Sequence, residues 1–238
     1  MRQLGVHTAG GMAEYVVAPA TNVYALPHPM PFEHAAFVEP LACAVRGQQR
    51  LGVDLGETVL IIGAGPMGVA HALLSRLRGA ARIIVFEPPE TRRARAHDNG
   101  SDVELDPFSA GADDFVRDAT DGRGPDDVIE AVGRPQTYLK AIELARRGGR
   151  VLAFGVAPPQ ATIALKPFDL NVKELTIVGS YAGTNETWPM AIDLIASGRV
   201  NPGQIVDSAR TLSDAPKAIE SMETDKSFVK IQIDLEAA

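Results

Sequence analysis

The sequence predicts an α/β fold in which helices cover both faces of a doubly wound parallel sheet. Short runs of valine, isoleucine and leucine recur from Thr58 onward, and amphipathic stretches separate them. Such runs indicate strands that are buried on both faces, which is typical of parallel sheets. Basic residues and glycine stand where helices should end, as in Arg146, Arg147 and Gly148.

The predicted elements follow one another in a regular order. A helix follows each of three strands: residues 66–79 follow "TVLIIG", residues 90–98 follow "RIIVFE", and residues 135–147 follow "DDVIEAVG". The runs "GGRVLAFG" and "ELTIVGS" extend the sheet. This alternation of strand and helix favours a single parallel sheet.

The two ends of the chain have a different pattern. "MAEYVVA" and "NVYALP" predict short strands between prolines, and a helix is expected from about Glu33 to Gly47. Further helices are expected near residues 188–197 and from Ser213 onward. Apolar and polar residues alternate in the last predicted strand, "FVKIQIDL", so one of its sides should be buried. We expect the two ends to pack together as a second, smaller domain.

Charge and cysteine content narrow the possible partners. The 238 residues include 23 basic and 30 acidic side chains, a net charge of -7, so neither nucleic acid nor a membrane is an expected partner. Cys43 is the single cysteine, which excludes an intramolecular disulfide and suits a reducing compartment. No apolar run has the length of a bilayer span, and residues 1–20 lack a secretory signal, so we expect a cytoplasmic protein.

The stretch "VLIIGAGPMGVA" contains a glycine pattern typical of dinucleotide binding. Gly63 would allow a tight turn, Gly65 a close approach of the backbone to a pyrophosphate, and Gly68 close packing of helix on strand. Glu87 ends the next strand, where a carboxylate accepts hydrogen bonds from ribose hydroxyls and repels a 2′-phosphate. The pattern therefore predicts NAD rather than NADP. The alternative is a purely structural strand-turn-helix with a coincidental glutamate.

Two arginines leave the preference between the coenzymes open to a second interpretation. Arg92 and Arg93 follow Glu87 closely, and a guanidinium near the adenosine could hold a 2′-phosphate. The alternative is that both side chains belong to a solvated helix face.

Several longer stretches resemble one enzyme family. They are "GGMAEYVVAPATNVYALP", "FEHAAFVEPLACAVRGQQRLGVDLGETVLIIGAGPMG", "GGRVLAFG" and "TIVGSYAGT". In this order they resemble the medium-chain dehydrogenases of the zinc-type alcohol, sorbitol and threonine dehydrogenase branch. The resemblance implies a Rossmann domain and a partial GroES-like β domain formed by both chain ends. The implied boundaries are 1–45 for the GroES-like remnant, 46–183 for the Rossmann domain, and 184–238 for the segment that returns to the catalytic domain.

The resemblance also implies roles for individual residues. Glu39 of "EPL" would lie at the catalytic zinc, as a direct or water-mediated ligand, and His7 would border the substrate cleft unless it is an ordinary loop histidine. The implied cofactor contacts lie in the glycine loop, beside the adenosine and along the nicotinamide half: Pro66, Met67, Arg92, Val132, Phe154, Gly155, Val156, Ser180 and Tyr181. Sorbitol dehydrogenases carry Arg-Tyr where this chain has Ala182 and Gly183, so the threonine or sugar-derivative branches are closer.

The zinc chemistry of the family requires residues that this sequence lacks. An upstream portion of the catalytic domain, with its zinc-ligand cysteine, Gly-His-Glu motif and four-cysteine lobe, is expected to be missing. A catalytic zinc needs three protein ligands, so Glu39 alone does not hold the metal and zinc is expected only in a full-length form. No new site is expected from the histidines, and a buried, inert thiol is the favoured interpretation of Cys43.

The sequence leaves three functions open. The favoured one is an NAD-dependent dehydrogenase of a secondary alcohol, threonine or sugar alcohol, whose chain as given binds NAD(H) but oxidises no alcohol by itself. The second is a truncated, non-catalytic NAD(H)-binding protein, and the third is a zinc-free reductase of the quinone-reductase type, which "EPLACA" disfavours. A homo-oligomer, a dimer or tetramer paired through the strand "TIVGSY", is expected.

Overall fold

A six-stranded parallel sheet forms the centre of the protein. The computed structural model describes residues 3–225 and 227–235, and within them the sheet has the order β3-β2-β1-β4-β5-β6. Its strands are β1 (Thr58–Ile62), β2 (Arg82–Phe86), β3 (Val103–Leu105), β4 (Asp127–Glu130), β5 (Arg150–Ala153) and β6 (Thr176–Gly179). All neighbours in this order pair in parallel. The doubly wound α/β prediction is confirmed.

Helices connect the strands and cover the sheet. In chain order they are α1 (Phe32–Ala35), α2 (Val38–Leu51), α3 (Pro66–Leu77), α4 (Glu90–Asp98), α5 (Ala112–Asp118), α6 (Pro135–Leu144), α7 (Pro167–Lys173), α8 (Thr187–Ala196) and α9 (Ala215–Thr224). Strand β3 and helices α5 and α7 were not predicted, because each has at most seven residues and too short a periodic pattern. Within the described residues, no helix is both long and apolar enough to span a membrane.

Alternate strand residues supply two separate cores. Val59, Ile61, Ile83, Val85 and Leu152 point to one face and pack with α2, α3 and α8. Their neighbours on the other face pack with α5 and α6: Leu60, Ile62, Ile84, Phe86, Val128 and Val151. In β1, β2, β4 and β5 both faces are buried, which is why these strands read as largely apolar runs.

The helix expected from Glu33 to Gly47 is in fact two helices. Helix α1 ends at Ala35, and α2 begins at Val38 after Phe37, whose side chain is fully buried. Helix α2 then continues past Gly47 to Leu51 and ends at Gly52, which has a φ of 78° and donates its amide to the carbonyl of Gln48 at 2.9 Å. The expected end was wrong because Gly47 is tolerated inside the helix, where it allows close packing on His71 and Phe154.

The strands expected in "MAEYVVA" and "NVYALP" are not formed within the described chain. Residues 9–31 contain a single 3₁₀ turn, Ala20–Asn22, and otherwise lack regular structure. A strand needs a neighbour to accept its hydrogen bonds, and the described residues supply none beside this segment. The alternating pattern was therefore insufficient for a strand here.

The two chain ends nevertheless meet. The ring of Tyr24 stacks on Trp188 with centroids 5.6 Å apart, and Gln232 donates to the carbonyl of Glu33 at 2.7 Å. Near the end of the chain, β7 (Ser208–Thr211) and β8 (Ile231–Asp234) pair in parallel as a small second sheet. One side of the last strand is buried only in part, because Val229 is 1% exposed but Leu235 is 47% exposed. The domain boundaries remain a prediction.

Candidate dinucleotide site

The strand order places a crevice between β1 and β4. The chain runs from β1 outward to β2 and β3, then returns to β4 on the other side of β1. The connections after β1 and β4 therefore lead to opposite sides, and the crevice between them lies at the carboxyl ends of the strands. Gly63 follows β1 there, and Glu130 ends β4.

The glycine loop between β1 and α3 has a backbone geometry that requires glycine at Gly63 and Gly68. Gly63 has a φ of 104° and donates its amide to the carbonyl of Phe86 at 2.8 Å. A Cβ on Gly68 would lie 1.8 Å from the carbonyl oxygen of Gly63, whereas a Cβ on Gly65 would meet nothing within 4 Å. The loop thus folds tightly on its own helix and leaves open space beside Gly65.

Helix α3 directs amide groups toward this open space. Gly65 is its N-cap and Pro66 its first residue. Proline has no amide hydrogen, and at this position an amide would have no carbonyl acceptor within the helix, so no hydrogen bond is lost. The first amides of any helix lack an acceptor one turn earlier, and together with the helix dipole they favour an anion. Met67 is half-buried and packs its side chain against the core of α2 and α3, which fixes this first turn.

Glu87 lies directly against the loop. The residue is 6% exposed, and its Oε2 accepts a hydrogen bond from the amide of Ala64 at 2.5 Å. Burial raises the pKa of this carboxyl above its usual value, while the Ala64 amide, Arg92 and Arg93 act in the opposite direction. The acid that was expected at the end of β2 therefore borders the glycine loop.

The two arginines after Glu87 are both engaged by backbone carbonyls. Arg92 donates from Nε and Nη2 to the carbonyl of Phe228 at 3.1 and 2.6 Å, and its Nη1 lies 3.8 Å from Oε1 of Glu87. Arg93 donates to the carbonyls of Glu87 and Pro88. The solvated-face interpretation is wrong for Arg92, whose side chain is 15% exposed, because the segment before β8 covers it.

The loops after β4 and β5 form the opposite side of the crevice. A Cβ on Gly63 would lie 2.8 Å from Cγ2 of Val132, so this valine adjoins the glycine loop. Gly133 approaches the carbonyl of Val156 so closely that a Cβ there would be 2.5 Å away. Val132 and Val156 are 41% and 81% exposed, and Phe154 and Gly155 are half-buried between them. These expected contacts therefore adjoin one another.

Glu130 was not among the residues expected at the site. The side chain is fully buried, and Oε1 accepts from the amides of Val132 at 3.0 Å and Gly133 at 2.8 Å and from the hydroxyl of Thr137 at 2.7 Å. Oε2 is buried without a hydrogen-bond partner among the described residues. The signal that could have identified it is a carboxylate at the end of the apolar run "DDVIEAVG". A charge buried at such a position requires hydrogen-bond partners.

Ser180 and Tyr181 follow β6 and differ in their environment. The hydroxyl of Ser180 is buried and has no hydrogen-bond partner within the described part of the chain. Tyr181 is 60% exposed and donates to Oε1 of Gln3 at 2.9 Å. The hydroxyl of Ser180 is therefore unpartnered among the described residues, whereas that of Tyr181 is engaged.

The residues expected at a metal site do not assemble one. Glu39 is exposed in the first turn of α2 and accepts a hydrogen bond from Sγ of Cys43 at 3.3 Å. Burial, followed by the charge of Glu39, raises the pKa of Cys43 to about 12, so the thiol stays protonated. His7 is exposed and accepts the amide of Gln3 at 3.1 Å. Residues 3–225 and 227–235 contain no group of three or more His, Cys, Asp or Glu side chains that could hold a metal ion. Those residues do not fit a catalytic zinc.

His71 is packed inside the protein. It is fully buried in α3, where Nδ1 lies 3.2 Å from Nε2 of Gln48 and its ring meets Phe154 edge-on at 4.5 Å. Burial lowers its pKa to about 3, so the imidazole is neutral.

The sheet order and the glycine loop define the class of this protein: a doubly wound α/β protein with the Rossmann topology. Residues 66–197 match the zinc-binding dehydrogenase family. Because this match covers more than half of the 238 residues, the chain belongs to the zinc-binding dehydrogenase family.

Individual proteins with a similar sequence are also dehydrogenases. The chain is 36% identical over 204 residues to an L-threonine 3-dehydrogenase of Pyrococcus horikoshii, covering 85% of this chain and 58% of the relative. It is 31% identical over 226 residues to the sorbitol dehydrogenase of Homo sapiens, covering 94% of this chain and 62% of the relative. It therefore spans about three fifths of the length of these relatives.

A solved structure shares the fold. A protein of Sinorhizobium meliloti 1021 that is described as a zinc-binding dehydrogenase and was crystallised with NADP superimposes with a TM-score of 0.90. It is 32% identical, and the comparison covers 98% of this chain and 68% of that one.

Proposed function

We propose that this chain binds NAD(H) in the crevice at the carboxyl ends of its sheet. The observation that carries the proposal is the open space beside Gly65 at the N-terminus of α3, with Glu87 bonded to the amide of Ala64 in the same loop. A pyrophosphate there would accept hydrogen bonds from helix amides. A ribose on the β2 side would donate its hydroxyls to Glu87.

The nicotinamide half would then lie on the β4 side of the crevice. A dinucleotide crosses the sheet where the strand order reverses, so its two nucleotides occupy opposite halves. Val132 and Val156 offer exposed apolar surface on that side, and Ser180 offers an unpartnered hydroxyl. The bound coenzyme would supply the hydride acceptor, and these residues would orient its ring and exclude water.

We propose NAD rather than NADP as the coenzyme. A carboxylate at Glu87 disfavours a 2′-phosphate, and Arg92, which could offset it, is already bonded to the carbonyl of Phe228. The NADP in the S. meliloti relative does not oppose this choice, because a glycine loop of this kind accommodates the pyrophosphate of either coenzyme.

The reaction class that the family membership favours is oxidation of a secondary alcohol, such as threonine or a sugar alcohol. The relatives named above are dehydrogenases of such substrates. Because the described residues do not gather a zinc ligand set, we propose that these 238 residues bind the coenzyme but do not turn over an alcohol alone.

Calorimetry and fluorescence titration with NADH test this proposal. We expect a single site per chain with a Kd on the order of micromolar, which corresponds to about -8 kcal/mol. Threonine or sorbitol with NAD and added Zn²⁺ should produce no NADH. If the chain binds neither coenzyme, the proposed binding site is refuted. If it oxidises an alcohol when zinc is added, the proposal that these residues are inactive alone is refuted.

The second candidate is a non-catalytic NAD(H)-binding protein, which the lack of a described metal-ligand cluster favours. It makes the same binding prediction, so binding alone does not separate the two. The nucleotide sequence upstream of Met1 separates the two candidate functions. An open frame that encodes the cysteine and Gly-His-Glu ligands supports the enzyme, and an in-frame stop close to Met1 supports the non-catalytic protein.

We further propose that the chain forms a homodimer, or a tetramer of such dimers, through β6. Strand β6 pairs with β5 and lies at the edge of the sheet, where an unpaired row of amides and carbonyls can pair with a second copy. Its side chains are largely exposed, and Ile177 is 41% exposed.

Replacing Ile177 with lysine is therefore expected to halve the mass in solution, because a charge at the paired edge opposes its own copy. Light scattering after size exclusion measures this mass. Leu139→Lys is the matched control, since Leu139 is 39% exposed and belongs to helix α6, not to the sheet. An equal mass for the Ile177 variant and the wild type would contradict pairing through β6.

A further inference from the structure

We infer that Glu130 is the positioning residue that holds both loops of the nicotinamide half in place. This inference rests on the proposed NAD(H) site. Glu130 ends the central strand β4 at the switch point, and the loops after β4 and β5 both bond to it.

The carboxylate holds the first loop. One oxygen, Oε1, accepts hydrogen bonds from the amides of Val132 and Gly133 and from the hydroxyl of Thr137, at 2.7 to 3.0 Å. Thr137 belongs to the first turn of α6, so the same oxygen connects the strand, the loop and the next helix. This loop carries Val132, which adjoins the glycine loop.

The backbone of the same residue holds the second loop. The carbonyl of Glu130 accepts the amides of Phe154 at 3.1 Å and Gly155 at 2.8 Å. A Cβ on Gly155 would lie 2.6 Å from Oε2 of Glu130 and 2.2 Å from the amide nitrogen of Gly133. Glycine is required here because the two loops touch across the carboxylate. The hydroxyl of Tyr138 also donates to the carbonyl of Gly155.

The energetics do not favour Glu130 as a simple packing residue. Burying a carboxylate costs free energy unless its oxygens are satisfied, and Oε2 has no partner within the described residues. The neighbouring buried positions of β4, Val128 and Ile129, are apolar. The carboxylate instead supplies one acceptor for three donors of the first loop and α6, and the backbone carbonyl of the same residue accepts the amides of the second loop.

A comparison of NADH with ADP binding distinguishes a positioning role of Glu130 in the nicotinamide half from a general role in the stability of the fold. ADP carries the adenosine and both phosphates but no nicotinamide riboside, so it tests the Glu87 side and the glycine loop alone. In Glu130→Ala we expect the NADH affinity to fall at least about tenfold and the ADP affinity by less than about twofold. Glu130→Gln retains an acceptor oxygen and should recover most of the NADH affinity.

Tyr138→Phe keeps the test decisive if the alanine variant fails to fold. It removes the hydroxyl that donates to the carbonyl of Gly155 and also interacts with the Glu130 carboxylate, but it keeps that carboxylate in place, and about a threefold loss for NADH alone is expected. Titrations are read only for variants whose thermal unfolding is cooperative. Equal losses for NADH and ADP, or unchanged NADH affinity in the folded variants, would overturn the role of Glu130. Wild-type protein that binds neither ligand would instead refute the proposed coenzyme site.

Discussion

Alanine in place of Gly68 is expected to abolish detectable NADH binding and to destabilise the fold. The new Cβ would lie 1.8 Å from the carbonyl oxygen and 2.8 Å from the carbonyl carbon of Gly63, and neither backbone atom can move as a flexible side chain would. Relief requires shifting the loop away from α3, which separates the helix amides from the pyrophosphate position. We expect more than about a 100-fold loss of NADH affinity. Overpacking of this kind costs about 1–3 kcal/mol of unfolding free energy or more.

Gly65→Ala is the matched comparison in the same loop. A Cβ there meets nothing within 4 Å, and the φ of -66° and ψ of -178° suit alanine. The midpoint of thermal unfolding should therefore stay within about 2 °C of the wild type, while NADH affinity falls about tenfold or more because the methyl group occupies the pyrophosphate approach. Gly11→Ala, in open space outside the site, should change neither quantity. A Gly68 variant that binds NADH like the wild type would refute this loop as the site.

Replacing Glu87 with glutamine is expected to lower NAD affinity about 10- to 100-fold and to reduce the preference for NAD over NADP. Hydrogen bonds to a charged group contribute about 1.5–3 kcal/mol, and the neutral amide loses that charge. An amide oxygen can still accept from Ala64, so the loop itself should persist. Because Arg92 is engaged by Phe228, we expect the preference to fall mainly through weaker NAD binding. Calorimetric titration with both coenzymes measures the two affinities.

Glu90→Gln is the control for net charge, since it makes the same change three residues away on an exposed position of α4. It should leave both affinities unchanged. An unaltered ratio of NAD to NADP affinity in the Glu87 variant would show that this carboxylate does not select the coenzyme.

The same carboxylate predicts a pH dependence of binding. Burial raises the pKa of Glu87, so it takes up a proton at a higher pH than an ordinary glutamate, and the protonated acid is a poorer acceptor for ribose hydroxyls. NAD affinity should therefore fall as the pH is lowered toward and through this raised pKa. Titrations between about pH 5 and pH 8 measure it, and the Glu87→Gln variant should lack this component of the profile.

Local patterns predicted the central sheet and the tight glycine loop after β1. The apolar runs of β1, β2, β4 and β5 could be recognised because burial on both faces leaves a strand few polar positions, whereas β6 was recognised from its short apolar run although its side chains are largely exposed. Gly63 and Gly68 could be recognised because a positive φ and a close backbone contact both exclude side chains. The short strand β3 escaped detection because three residues do not establish a period.

The interactions that were not predicted join residues far apart in the chain. Arg92 could face solvent or a phosphate on sequence grounds, and its bond to the carbonyl of Phe228, 136 positions away, depends on how the last segment packs on α4. The role of Glu130, at the end of an apolar run, was not predicted because its hydrogen-bond partners are amides of two separate loops. The strands expected near Tyr15 and Tyr24 did not form in the described chain, since an alternating pattern supplies no neighbouring strand.

The sequence by itself determined the doubly wound sheet, the glycine turn and the acid at the end of β2. Each of these depends on residues adjacent in the chain, through side-chain period, backbone φ or the position at the end of a strand. Only the tertiary structure decided that Glu130 connects two loops, that Arg92 is held by a distant carbonyl, and that His71 is buried and neutral. Hydrogen-bond partners and desolvation are properties of the packed chain, and local sequence does not specify which distant groups will meet.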